Sequence, residues 1–197
     1  MPIDATHLSR SHSRAWAHLG GAYKNNNQLE KALWAYEKAI GMEPNNYGYY
    51  LEELDLLGAL GRSKDDIIGW AQQVSHKITQ EQFRNLVMAE AYYSSSDHEK
   101  AEEYVKKILS ATPKDPKLYL YSGILLGRMG KHYRAREAFA EGLEIHADNI
   151  DLQYNYALAC AMTGNKEEAV HAARDILEHA PHFEKARILI RQMAGER

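Results

Sequence analysis

The chain has 197 residues and a formal net charge of -3, with 24 lysines and arginines against 27 aspartates and glutamates. Apolar residues make up 45% of the sequence, which is typical of a globular protein and too high for a disordered one. The near-neutral charge balance provides no basic surface for nucleic acid or anionic membrane. The single cysteine excludes an internal disulfide framework and a four-cysteine zinc site.

The chain contains no apolar segment suited to targeting or membrane insertion. Its first residues, Met1–Leu8, lack the apolar core of a secretory signal. No run of apolar residues reaches the length of about 18 that a spanning helix needs. The sequence therefore predicts a cytoplasmic protein, and the alternative is a soluble domain of an anchored or exported protein.

A repeat of about 34 residues organises the sequence. The alanines Ala101, Ala135 and Ala169 follow one another at that interval, and so do Gly130 and Gly164. The predicted order is an N-terminal extension (1–12), five repeat units (13–46, 47–80, 82–115, 116–149 and 150–183) and a C-terminal capping helix (184–197). One extra residue falls near position 81, between the second and third units.

Each unit is predicted to contain two helices. In the first unit, small and apolar residues recur at helical spacing twice, at Trp16, Leu19, Gly20 and Tyr23 and then at Ala32, Tyr36 and Ala39. No stretch alternates with a period of two, so the sequence predicts no strand. The chain thus predicts ten helices in five hairpins and one more at about 184–194.

Capping residues support these helix starts. An asparagine or serine stands three residues before a glutamate at the second helix of units one, three and five, at Asn27–Glu30, Ser96–Glu99 and Asn165–Glu168. Thr79 and Gln82 predict a similar cap for the first helix of unit three. Asp115 before Pro116 predicts the start of unit four.

The first unit resembles the tetratricopeptide repeat (TPR) signature at all eight signature positions. These are Trp16, Leu19, Gly20, Tyr23, Ala32, Tyr36, Ala39 and Pro44. Unit two departs most, because Asp66 replaces the small residue of the second helix. The resemblance implies an all-α fold, a right-handed superhelical solenoid of antiparallel helix hairpins. It also implies a non-catalytic module that binds other proteins.

Residues that could carry catalysis or bind a metal do not form a recognisable motif. Ten histidines occur without an HExxH or CxxC pattern, and no glycine-rich phosphate loop is present. Glycine pairs such as Gly127 and Gly130 are interpreted as turn residues between helices. Cys160 is expected to be a buried core residue. We therefore expect no enzyme activity, no metal and no cofactor.

In TPR proteins the first helix of each hairpin lines a concave groove, and the resemblance places apolar and aromatic residues there. It implies that the groove binds a peptide or an amphipathic helix of a partner. The implied groove residues are Phe83, Leu86, Val87, Glu90, Tyr93, Leu120, Tyr121, Ile124, Arg128, Tyr154, Asn155, Leu158 and Met162. The alternatives are that this phase is wrong by one residue, or that superhelical curvature closes the groove on itself.

Some TPR proteins bind the carboxylate end of chaperone tails through lysine and asparagine on successive first helices. The matching positions here hold Ala17 and Gly21 in unit one and Phe83 and Val87 in unit three. The resemblance therefore does not imply a chaperone cofactor. The alternative function is a structural or assembly subunit, or a soluble TPR segment of a larger cell-envelope or secretion protein, that works by forming homo-oligomers.

Overall fold

The structure is a computed structural model that describes residues 5–195, with side chains from residue 11 onward. The predicted helices are present, and no strand occurs within those residues. The outermost residues of the predicted extension and capping segment, 1–4 and 196–197, lie outside the described residues. In chain order the helices are α1 (Ala5–Asn25), α2 (Leu29–Met42), α3 (Tyr47–Ala59), α4 (Lys64–Ser75), α5 (Glu81–Ser94), α6 (His98–Ser110), α7 (Pro116–Arg128), α8 (His132–Ile145), α9 (Ile150–Met162), α10 (Lys166–His179) and α11 (Glu184–Ala194).

Two of the hairpins close through a glycine on the first helix and an aromatic ring on the second. A Cβ atom at Gly20 on α1 would lie 2.7 Å from Cε2 of Tyr36 on α2, which is closer than two carbon atoms can pack. Gly123 on α7 meets the ring of Phe139 on α8 in the same way. Glycine is therefore required where these helix pairs approach each other.

The α3–α4 hairpin lacks this close approach. Leu54 on α3 occupies the repeat position that Gly20 holds on α1, and its side chain is buried. As a result, α3 packs more closely on α2 and α5 than on α4. The departure of unit two from the repeat pattern thus has a packing consequence.

Asp66, which replaces the small residue in α4, lies at the start of that helix and is exposed. It forms a capping box with Ser63, because the Asp66 N–H donates to Ser63 Oγ and the Ser63 N–H donates to the Asp66 carboxylate, both at 3.2 Å. The Ser63 hydroxyl also donates to this carboxylate at 2.7 Å, and these bonds hold the pKa of Asp66 below its usual range. This cap was not predicted from the sequence.

A left-handed residue ends the first helix of every hairpin. These residues have φ between 55° and 84°, and they are Asn27, Gly61, Ser96, Gly130 and Gly164. In each case the N–H of the next residue donates to the carbonyl five residues before it, as Gln28 does to Tyr23 at 2.9 Å. This is the Schellman arrangement for helix C-termini. The repeat is therefore visible in the backbone conformation as well as in the sequence.

The capping boxes predicted at Asn27 and Ser96 are wrong, because both residues end the preceding helix rather than begin the next one. Gln28 precedes α2 without a side-chain cap, and Asp97 caps α6 by accepting from the Lys100 N–H at 3.1 Å. Asn165 directly precedes α10 but makes no side-chain cap, so the capping box predicted there is also wrong. The cap predicted at Thr79 is wrong as well, because Gln80 is the residue that precedes α5 and it makes no side-chain cap. The cap predicted at Asp115 is confirmed, since its carboxylate accepts from the Lys117 N–H at 2.9 Å.

The backbone packs as two compact units, an N-terminal unit ending at Tyr104 and a C-terminal unit beginning at Val105. In the C-terminal unit, one core cluster joins α9, α10 and α11 through Ala157, Ala173, Ile176, Ala186 and Leu189. The outer face of α11 is exposed at Arg187 and Arg191. The helix ends at Gly195, which has φ of 75°.

Candidate functional site

The predicted groove residues of α7 and α9 lie in the C-terminal unit, where these two helices pack side by side. Helical spacing of three and four residues places each set on one face of its helix. Most of these side chains are half-buried, namely Leu120, Tyr121, Ile124, Tyr154, Asn155 and Leu158. Arg128 is exposed, and Met162 has 63% of its surface exposed. This face is therefore apolar and accessible along both helices.

A cavity of about 220 Å³ opens on this face between α7, α8 and α9. We call it the socket, and it is lined by Gly123, Ile124, Gly127, His132, Ala135, Phe139, Asn155, Leu158, Ala159 and Met162. Its volume is below the roughly 300–1,000 Å³ of sites for drug-sized ligands. The socket therefore suits a single apolar side chain better than a cofactor.

Gly127 is one of the residues that line the socket. It lies inside α7 rather than in a turn, so the prediction of a turn glycine is wrong at this position, although it is confirmed at Gly130. A Cβ atom at Gly127 would meet no atom within 4 Å, which means that its missing side chain leaves empty space. Gly127, Ala135 and Phe139 were not among the predicted site residues. Ala135 and Phe139 were missed because only the first helix of each hairpin was expected to line the groove, and they lie on α8. Gly123 and Gly127 lie four residues apart on one helix face, and this spacing was the sequence feature that could have indicated the socket.

The predicted groove residues of α5 have a different environment. Phe83, Leu86, Val87 and Glu90 are each at most 5% exposed, so they offer almost no surface to a ligand. The ring of Phe83 lies 6.1 Å from the ring of Tyr47 on α3. Tyr93 is half-buried and stacks on His98, with ring centroids 5.1 Å apart.

An extra residue within α5 accounts for the burial of Phe83 and Val87. α5 has 14 residues, whereas α3 and α7 have 13 each. It begins 34 residues after α3 begins, at Glu81 against Tyr47, but ends 35 residues after α3 ends. The added residue therefore falls inside the helix, not before it, and the phase is wrong by one in the first turns. Gln82 and Asn85 occupy the half-buried positions there.

The Tyr154 ring on α9 has a cation and a second aromatic ring beside it. The Lys185 ammonium lies 5.8 Å from the centre of the Tyr154 ring, and the centre of the Phe183 ring lies 5.5 Å from the same point.

Tyr121 on α7 has a raised pKa. Burial raises the pKa of its hydroxyl, and the carboxylates of Asp151 and Asp115 raise it further. Tyr121 is therefore a neutral phenol at physiological pH and acts as an apolar ring with a polar tip.

Cys160 on α9 is fully buried. Burial, followed by the charge of Glu168, raises the pKa of its thiol to about 11, so the nucleophilic thiolate does not form near neutral pH. This environment agrees with the predicted core role of Cys160. Within the described side chains, no three His, Cys, Asp or Glu residues are grouped so that they could hold a metal ion.

The repeat matches the profiles of a known protein family. Profiles of the tetratricopeptide repeat match residues 13–46, 85–115 and 122–189, which together are more than half of the chain. The chain belongs to the tetratricopeptide repeat family. The first of these matches has the same bounds as predicted unit one.

This TPR chain is similar to protein O-mannosyl-transferase TMTC3 of Mus musculus, with 22% identity over 176 residues. The match covers 79% of this chain but 18% of the mouse protein. It is also similar to the general transcriptional corepressor trfA of Dictyostelium discoideum, with 30% identity over 135 residues, 66% of this chain and 9% of that protein. The chain thus spans less than a fifth of the length of these two relatives.

Among solved structures, the TPR chain is similar to a thermophilic TPR protein of Thermus thermophilus. The TM-score is 0.58 at 18% sequence identity, and the match covers 92% of this chain and 98% of that one. At this identity the likeness concerns the fold alone. Between residues 5 and 195, no helix is both long and apolar enough to cross a membrane.

Proposed function

We propose that this TPR chain is a non-catalytic protein-binding module, and that a peptide or amphipathic helix of its partner lies along α7 and α9. Membership of the TPR family supports a protein-interaction role. The observation that carries the location is the socket, which opens on an accessible apolar face of these two helices. Interfaces are commonly anchored by one or two apolar side chains inserted into such cavities.

Substitution of an exposed socket residue tests this proposal without disturbing a core. Met162 is 63% exposed, so Met162→Glu should leave the fold intact while placing a charge at the mouth of the socket. We expect proteins that copurify with the chain from its source cell to be lost or strongly depleted with this variant. Quantitative mass spectrometry of the purified complexes measures the effect.

Ile145→Glu is the matched control, because Ile145 is an apolar side chain of α8 that is 49% exposed and does not line the socket. This variant should retain the partners that the unmodified chain retains. If Met162→Glu and Ile145→Glu keep the same partners at the same level, binding does not occur along α7 and α9. Circular dichroism confirms that both variants keep their helicity.

A further inference from the structure

The size of the socket indicates what kind of side chain fills it. Its volume of about 220 Å³ equals the space of roughly seven water molecules, at about 30 Å³ each. That is on the order of the number of carbon atoms in the side chain of phenylalanine or tyrosine, and a leucine side chain would leave part of the space empty. Empty space beside an inserted side chain forfeits van der Waals contacts. The volume therefore favours an aromatic ring.

The walls of the socket suit a flat ring. Four of the residues that line it have no side chain or a single methyl group, namely Gly123, Gly127, Ala135 and Ala159. Phe139, whose ring packs on Gly123, provides an aromatic neighbour. Aromatic rings attract each other edge to face or in offset stacks, beyond the effect of the area they bury. A planar side chain can therefore lie against the helix backbones and beside Phe139.

Two polar side chains interrupt this apolar lining, those of Asn155 on α9 and His132 on α8. Both residues are half-buried. The Asn155 Nδ2 donates to the carbonyl oxygen of Asp151, one turn earlier on α9, at 2.8 Å. This bond fixes the orientation of the amide and leaves Oδ1 of Asn155 as an acceptor. No Asp, Glu, Lys or Arg is among the residues that line the socket.

The polar lining discriminates between aromatic side chains. A phenylalanine inserted beside Asn155 would exclude water from Oδ1 without replacing the hydrogen bond, which costs binding free energy. A tyrosine hydroxyl can donate to Oδ1 and can also accept from the imidazole of His132, whereas a tryptophan indole only donates. A site that hydrogen-bonds a hydroxyl rejects the analogue that lacks it. Tyrosine therefore fits both the volume and the polar groups.

We propose that the socket selects a tyrosine side chain of the partner, whose ring packs beside Phe139 and whose hydroxyl donates to Oδ1 of Asn155. Asn155 is then the residue that determines the specificity of the socket. This inference rests on the proposed function, because it names the side chain that anchors the partner's peptide between α7, α8 and α9.

Two small molecules test this selection without knowledge of the partner's sequence. 4-Methylphenol reproduces the side chain of tyrosine and toluene that of phenylalanine, so the two probes differ only in the hydroxyl. NMR titration of the isotope-labelled full chain measures their affinities at the amides of Gly123 and Gly127. We expect 4-methylphenol to bind about fivefold more tightly than toluene, which is the effect of one neutral hydrogen bond.

A matched pair of leucine variants tests the role of Asn155. Asn155→Leu removes the acceptor and retains a side chain of similar size, so the two probes should bind this variant alike. Gln192→Leu is the control, because it makes the same exchange of an amide for an apolar group at an exposed position of α11 that does not line the socket. This control should keep the preference for 4-methylphenol. Circular dichroism confirms that both variants keep their helicity.

The outcomes separate this inference from the proposed function. If the probes bind with equal affinity, if toluene binds more tightly, or if Asn155→Leu keeps the preference for 4-methylphenol, the selection of tyrosine is wrong and the socket remains a binding site. If neither probe shifts the amides of Gly123 and Gly127, both the inference and the proposed location of the partner are contradicted.

Discussion

At the scale of single residues, Glu53 on α3 is an unusual member of the core of the N-terminal unit. Its side chain is 1% exposed, and one carboxylate oxygen accepts from the Trp70 indole N–H at 3.2 Å. The other oxygen is buried and has no hydrogen-bond partner among the described residues. Burial, followed by the charge of Glu37, raises the pKa of Glu53 to about 8, although Trp70 and Lys77 act in the opposite direction.

This shift predicts that the protein loses stability as the pH rises from about 4.5 through about 8. In the unfolded chain the carboxyl titrates near 4.5, so within that window the folded state holds a proton that the unfolded state has lost. Raising the pH therefore favours unfolding, by up to a few kcal/mol at ~1.4 kcal/mol per unit of pKa difference. Urea unfolding at a series of pH values measures this loss.

Glu53→Gln should flatten the pH dependence, because the amide keeps an acceptor for Trp70 and cannot ionise. Glu167→Gln, at an exposed position in the first turn of α10, is the control and should leave the slope unchanged. If Glu53→Gln and the unmodified chain lose stability equally between pH 5 and 8, Glu53 is not the source of the pH dependence and the prediction is wrong.

At the scale of secondary-structure elements, the helix periodicity was readable from the sequence but the helix ends were only partly so. Gly130 and Gly164 were recognisable as turn glycines, yet Asn27 and Ser96 serve the same left-handed position. Asparagine and serine are also good N-caps, so residue type alone could not distinguish the end of one helix from the start of the next. The backbone geometry makes that distinction.

Substitution by alanine should change the stability of the protein in opposite directions at Gly127, inside α7, and at Gly130, just after it. Gly127→Ala should stabilise the protein by about 0.5–1 kcal/mol, because Gly127 is helical and an added Cβ meets open space. Gly130→Ala should destabilise it by about 1 kcal/mol or more, since Gly130 has φ of 76°. Chemical denaturation followed by circular dichroism measures both values.

Gly164→Ala provides an internal check on this prediction, because Gly164 holds the same left-handed position after α9, with φ of 84°. It should lose stability as Gly130→Ala does. A gain of stability in both Gly130→Ala and Gly164→Ala would mean that these residues do not end their helices in the left-handed conformation.

At the scale of the whole molecule, the repeat made the fold predictable, because small and large residues recur in step along most of the chain. The candidate site was less accessible to sequence reasoning. One extra residue inside α5 shifts the phase of its first turns and places Phe83 and Val87 in buried positions, and only the helix bounds locate that residue. The socket is lined by residues of three helices, and its presence becomes visible only when these helices are in place.

Hydrogen–deuterium exchange of the full chain, with and without a partner protein that copurifies with it, tests the central claim most directly. Amides whose helices contact a ligand exchange more slowly in the complex. We expect the partner to protect α7 and α9, and we expect Met162→Glu to remove this protection while Ile145→Glu does not. Protection confined to α3 or α5, or protection of α7 and α9 that survives Met162→Glu, would contradict the proposed function.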